Sequence, residues 1–159
     1  MTKRYWLFKS DPESFAISDL EKAAKKTTPW DGVRNYQARN FLRDEVKVGD
    51  DVLFYHSSAE DETGVVGTAV VSRAAYPDFT AFDPAHHHFD PDSKPGDPTW
   101  YLVDVKHRST FPRCVTREML AAHPLLRKMS VLRRGNRLSV MPVSKAEWDA
   151  VVKLASKKK

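Results

Sequence analysis

The 159-residue sequence predicts an α+β fold, a mainly antiparallel sheet curled into a small β-barrel with flanking helices over its ends. Three observations predict it. Short apolar runs of strand length follow one another across short turns. The strand–helix–strand alternation of a doubly wound parallel sheet is absent. Neither glycine-rich phosphate loop, GxGxxG or GxxxxGK, occurs, which argues against a dinucleotide-binding sheet.

In chain order, residues 5–9 (YWLFK) are an aromatic-rich run that reads as a buried strand, ended by Ser10-Asp11-Pro12. Ser18-Asp19-Leu20-Glu21 has the capping-box pattern, serine at the N-cap and glutamate at N3, and predicts a helix over residues 19–26. Thr27-Thr28-Pro29 breaks it, and Gly32 permits backbone conformations that other residues resist. Asn35 caps a second predicted helix that runs through Arg43. Its inward positions are Tyr36, Ala38, Phe41 and Leu42, with Arg39 and Arg43 one turn apart. Val48-Gly49-Asp50 turns into a strand over residues 51–57, and residues 59–63 form an acidic connection. Residues 64–74 (GVVGTAVVSRA) are the next strand, where Gly67 signals a bulge or a close approach by another group.

Residues 76–98, rich in Pro, Asp and His and without a period, read as a long excursion loop, a length that is often functional. Residues 100–111 predict a long strand. Thr116 caps a short helix that ends near His123-Pro124, and residues 125–129 suggest another helical turn. Residues 137–143 (RLSVMPV) predict a final strand. Ser144-Lys145-Ala146-Glu147 is a second capping box, opening a last helix that carries Trp148, Val151, Val152 and Leu154.

The length predicts one domain over residues 1–159, with residues 156–159 as a basic tail. No apolar run approaches the ~20 residues of a membrane span. The N-terminus reaches an aspartate too soon for a signal peptide, and Cys114 is the only cysteine, so a reducing, cytoplasmic setting is expected. The sequence carries no direct sign of oligomeric state, and a monomer is the expectation. Charge is lopsided. Residues 1–104 carry 12 basic and 18 acidic side chains, a net of −6; residues 105–159 carry 14 and 3, a net of +11. A basic terminal third suggests a polyanion partner, DNA or RNA, and equally fits a solvated face with a frayed Lys157-Lys158-Lys159 tail.

Residues 30–42 (WDGVRNYQARNFL) concentrate the features of nucleobase recognition. Trp30 and Tyr36 offer flat faces for stacking. Asn35, Gln37 and Asn40 offer paired donors and acceptors, and Arg34, Arg39 and Arg43 offer charge for phosphates. Nothing in the stretch is a nucleophile with its own base.

Seven motifs in order, YWLFKSDP, WDGVRNYQARNFL, VGDDVLFYHS, GVVGTAVV, AYPDFTAFD, WYLVDV and RLSVMPV, closely resemble the EVE domain family over nearly the whole chain. That family belongs to the PUA-like superfamily and is similar to YTH domains, which read methylated adenine in RNA. The resemblance implies a β-barrel with flanking helices and a pocket for a nucleobase, in particular a modified one such as methylated or hydroxymethylated cytosine. Asp11 departs from the glutamate usual in the family, and the His86-His87-His88 triplet falls in its variable loop.

The candidate base-binding residues are Ser10, Trp30, Val33, Arg34, Asn35, Tyr36, Tyr55, His56, Ser57 and Asp78. The candidate phosphate-binding residues are Arg39, Arg43, Lys106, Arg108, Arg133 and Arg134. Each has a plainer reading: Trp30 as a core residue, Asn35 as an N-cap, Ser10 as a turn former, the arginines as a solvated face. Trp6 and Trp100 lie in strands and read as core. Ser57 activated by His56 is disfavoured, because adjacent strand residues point to opposite faces. Asp83, His86, His88, Asp90 and Asp92 have metal-binding atoms, but their spacing matches no known signature. No metal or other cofactor is expected. The reading is a non-enzymatic nucleic-acid reader. The alternatives are an enzyme acting on a modified nucleotide, with His56, Asp78 or Asp31 as acid or base, and a small-molecule sensor using the same pocket.

Overall fold

The computed structural model describes residues 3–57, 63–133 and 138–156. Among the described residues there are six strands: β1 (Tyr5–Ser10), β2 (Thr27–Pro29), β3 (Asp51–His56), β4 (Gly64–Pro77), β5 (Tyr101–Thr116) and β6 (Val140–Val143). Four α-helices flank them: α1 (Ile17–Lys22), α2 (Tyr36–Asp44), α3 (Arg117–Ala122) and α4 (Lys145–Ser156). The strands form one sheet in the order β2-β5-β4-β3-β1-β6.

The aromatic run is the reason for the layering. Trp6, Leu7 and Phe8 are all fully buried, so β1 has cover on both faces as well as neighbours on both edges. Trp6 and Phe8 point into one apolar cluster, with Trp30, Leu42 and Phe54; Leu7 points into the other, with Leu53, Tyr55, Met141 and Val151. β1 pairs with β3 in parallel and with β6 in the antiparallel sense. The parallel pair needs a crossover, which the long connection holding α1, β2 and α2 supplies. The other pairings are antiparallel, across a short connection between β3 and β4 and across longer ones elsewhere.

The sheet is not closed into a barrel, which corrects the expectation from sequence. Among the described residues no pairing joins the end strands β2 and β6. β2 has three residues and contains Pro29; β6 has four and contains Pro142. Short strands with prolines terminate a sheet, because a proline offers no N–H to a further neighbour. The curl is instead local. The β4–β5 ribbon shifts register four times, once at Gly67.

Helix ends follow local chemistry with one exception. Asn35 caps α2 through Oδ1, which accepts the Ala38 N–H at 3.0 Å. Ser144 and Glu147 form the expected capping box of α4, at 3.1 and 2.9 Å. Thr116 caps α3. Helix α1, by contrast, starts two residues early. Asp19, not Glu21, reaches back to the Ala16 N–H (2.8 Å), and the helix stops at Lys22, where Ala23 turns extended (ψ 154°) ahead of Lys25 and Lys26 at positive φ. Tyr36, expected inward, is 62% exposed, whereas Ala38 and Leu42 are buried. The final strand begins at Val140. Residues 59–62, Arg134, Arg137 and the 157–159 tail lie outside the described residues. No described helix is long and apolar enough to cross a membrane.

Gly67 is both a bulge and a close approach. A Cβ there would collide with the Ile17 side chain and the Ser109 carbonyl oxygen. Gly67→Ala is expected to cost about 1–3 kcal/mol in urea denaturation, the range for overpacking. Gly96→Ala, with nothing within 4 Å of its Cβ, should stay within about 0.5 kcal/mol of the parent.

Candidate functional site

Beyond Phe8, β1 has outrun β6, and the tie that continues there is Lys9 N–H to the Ser139 carbonyl at 2.8 Å. A cavity of about 560 Å³ opens at this corner of the sheet. Its walls come from four segments: the end of β1 with the turn after it, β2 with the link from it to α2, the turn at His86–His88, and Ser139 just ahead of β6. Trp30 and Phe15 give it an aromatic side, and Ser10, Asp11, Asp31 and the imidazoles a polar one.

Trp30 serves the core and the cavity together. It is 7% exposed, its ring 5.3 Å from those of Phe8 and Phe54 and edge-on to Phe15 at 6.3 Å. Its backbone N–H donates to the Val103 carbonyl (2.8 Å), extending the β2–β5 pairing into the link. Ser10 Oγ donates to the Phe15 carbonyl, which folds the turn back onto the strand.

The link itself is held by Asp78. This carboxylate is fully buried and accepts from Gly32 N–H (2.9 Å), Arg34 Nη1 (3.0 Å), Thr80 N–H (2.9 Å) and Thr80 Oγ (2.5 Å). Burial alone would raise its pKa; the bonds from Thr80, Gly32 and Arg34 outweigh it and hold the carboxyl below its usual value. Arg34 also donates through Nη2 to the His88 carbonyl at 2.6 Å, joining the histidine turn to the link. Gly32 sits at φ +78°, and a Cβ there would overlap the His88 imidazole. Glycine is required twice over at this position.

Of the ten base-binding candidates, Ser10, Trp30 and Val33 line the cavity. Arg34 and Asp78 stand behind it as the clamp just described. The Asn35 side-chain oxygen Oδ1 is committed to capping α2. Tyr36 stacks on Trp100 at 5.0 Å on the outer surface, with Arg39 over Tyr36 and Arg34 over Trp100. Tyr55 is buried in the opposite cluster, beside Arg117. His56 Nε2 accepts the Ile17 N–H at 3.1 Å and so completes the start of α1. Ser57 N–H bonds to the Ser10 carbonyl.

Of the three acid–base candidates, His56 and Asp78 are thus engaged within the fold, and Asp31 lines the cavity. Of the phosphate candidates, Arg39 donates to the Thr99 carbonyl at 2.7 Å, Arg43 pairs with Asp44, and Arg108 pairs with Asp51. Lys106 and Arg133 are exposed. Sequence reasoning missed Phe15 and Lys9 as lining residues. Phe15 carried no signal beyond its aromatic ring, and Lys9 reads as an ordinary strand end.

The EVE domain profile matches residues 4–154. The chain belongs to the EVE domain family. It is 42% identical to mouse thymocyte nuclear protein 1 over 167 residues, covering 94% of this chain and 73% of that protein. Its fold matches that of a hypothetical protein from Leishmania major with a TM-score of 0.91 at 45% identity, over 97% and 95% of the two chains. It matches human THYN1, solved in complex with 5-methylcytosine-containing DNA, with a TM-score of 0.90 at 40% identity, over 99% and 100%. The α+β, PUA-like class is therefore that of this EVE domain, with an open mixed sheet in place of the closed barrel.

Burial lowers the His56 pKa, against a smaller upward pull from Asp19, and the neutral ring is the form that accepts the Ile17 N–H. The unfolded chain therefore takes up the proton first as pH falls. The stability involved is complete above the unfolded value of about 6.5 and is lost as pH drops through the folded one. Melting temperature should fall between pH 7.5 and pH 5. His56→Gln retains an acceptor and cannot titrate, so its melting temperature should fall less; an equal fall would assign the effect to other groups.

Proposed function

We propose that this protein is a non-enzymatic reader of nucleic acid that takes a modified base into the cavity beside Trp30. It acts as a single-domain monomer, and its single cysteine suits a cytoplasmic setting. The observation that carries the reading is the cavity itself. Its volume falls within the about 300–1,000 Å³ range of ligand pockets. It pairs an aromatic side with a polar one, as recognition of an extruded base requires. The family supports the reading, since the related human THYN1 was solved with 5-methylcytosine-containing DNA. A methylated cytosine is accordingly the first base to test. Trp30 and Phe15 would face the ring, and Ser10 with neighbouring backbone groups would meet its polar edge. The Tyr36–Trp100 stack and its two arginines extend the binding surface outside the cavity.

Binding of a 5-methylcytosine oligonucleotide and its unmethylated twin, measured by fluorescence anisotropy, tests this. Base–aromatic stacking is worth about 1–3 kcal/mol, so Trp30→Leu should weaken the preferred complex roughly ten- to a hundredfold. Trp30 is also a core residue, so the variant's denaturation midpoint must be read alongside. A folded variant with parental affinity would remove Trp30 from the site. A second measurement concerns the nucleic-acid backbone. Lys106→Gln with Arg133→Gln should reduce the slope of log affinity against log salt by up to about 2, since each phosphate left unneutralised lowers it by about 1. Arg108, already paired with Asp51, should contribute less.

A further inference from the structure

Three consecutive imidazoles converge at the wall of the cavity. One ligating nitrogen from each of His86, His87 and His88 lies within 4.8 Å of the other two. The ring centroids are 3.9 to 4.9 Å apart. Consecutive residues in a strand would point their rings to opposite faces. Here a turn gathers them, closed by Phe89 N–H to the His86 carbonyl and His86 N–H to the Asp83 carbonyl, each at 3.0 Å.

The turn is anchored from outside. Arg34 holds the His88 carbonyl, and Gly32 supplies the space in which the His88 ring sits. His88 Nδ1 is buried and has no hydrogen-bond partner among the described residues. A buried ring nitrogen without a partner is costly unless something occupies its lone pair. Asp31 lies on the same wall, and the charge of Arg34 is matched by Asp78 at 3.0 Å.

We propose that His86, His87 and His88 together bind a divalent transition-metal ion, Zn²⁺ or a close relative, at the wall of the cavity. Imidazole nitrogen suits this class, whereas Mg²⁺ and Ca²⁺ prefer oxygen ligands. Zinc–nitrogen bonds of about 2.0–2.1 Å in a tetrahedron put ligand nitrogens about 3.3 Å apart. The 4.8 Å limit seen here therefore requires a closing of about 1.5 Å, within reach of ring rotations in a turn. His86 Nδ1 now accepts the His88 N–H at 3.0 Å, and ligation by His86 gives up that bond for one to the metal. Three protein ligands leave a fourth position open. An ion there would place positive charge beside the aromatic side of the cavity, where a nucleotide phosphate or another anionic oxygen can meet it.

The test is titration of ZnCl₂ into the untagged, EDTA-treated full chain by isothermal calorimetry, without nucleic acid, so that it stands or falls separately from the base-reading proposal. One ion per chain should bind with a Kd of about 10 μM or tighter, and MgCl₂ should give no saturable heat. His87 is exposed, and His87→Ala should weaken binding at least about tenfold with an unchanged melting curve. His86→Ala combined with His87→Ala should abolish it. Cys114→Ser should bind like the parent. Absence of saturable zinc binding, or parental affinity in the double variant, would overturn the proposal.

Discussion

One buried carboxylate organises the functional corner of this molecule. Asp78 sits where β4 ends, and its acceptors are filled by groups from two directions. Thr80 binds it from its own turn, and Gly32 with Arg34 from the link between β2 and α2. Through Arg34 the same clamp reaches the carbonyl of His88. Trp30, the start of α2 and the histidine turn therefore share one anchor. Removing a partner from such a pair is far more damaging than the pair is stabilising, because an uncompensated charge would be left in the interior. The clamp therefore contributes position rather than energy: it holds an aromatic wall against a cavity that offers the wall little support of its own.

The cavity has a simple origin. β6 is too short to follow β1 to its end, and the corner it leaves uncovered becomes the opening. Nothing is excavated from either apolar cluster. The aromatic lining is borrowed from the first of them, since Trp30 packs on Phe8 and Phe54 with one side and borders the cavity with another.

What was legible in the sequence was whatever local chemistry decides. The aromatic run of β1, the Asn35 cap and the Ser144–Glu147 box each depend on residues within a few positions of one another. The start of α1 was not legible, because one of its first N–H groups is satisfied by His56, 39 residues further along the chain. Barrel closure was equally invisible: alternation marks strands but says nothing of whether the outermost two meet. Around the site, three of the residues that the sequence reading grouped, Ser10, Trp30 and Val33, line one cavity, while Tyr55, grouped with them, is sent to the other cluster by the two-residue period of β3. The histidine triplet resisted interpretation because contiguous residues match no metal spacing. Only the turn brings their rings together.

The two ends of the sheet have a bearing on the company the protein keeps. Exposed strand edges invite other chains to pair with them, and natural sheets blunt them with brevity, proline and lysine. Here Pro29 lies in the three-residue strand at one end, and Pro142 in the four-residue strand at the other. Where β1 runs on past its neighbour, the residue beside the opening is Lys9. The open corner is thus a poor template for another strand, and the edge there, ordinarily an aggregation hazard, is blunted by a charge and by the tie of Lys9 N–H to the Ser139 carbonyl.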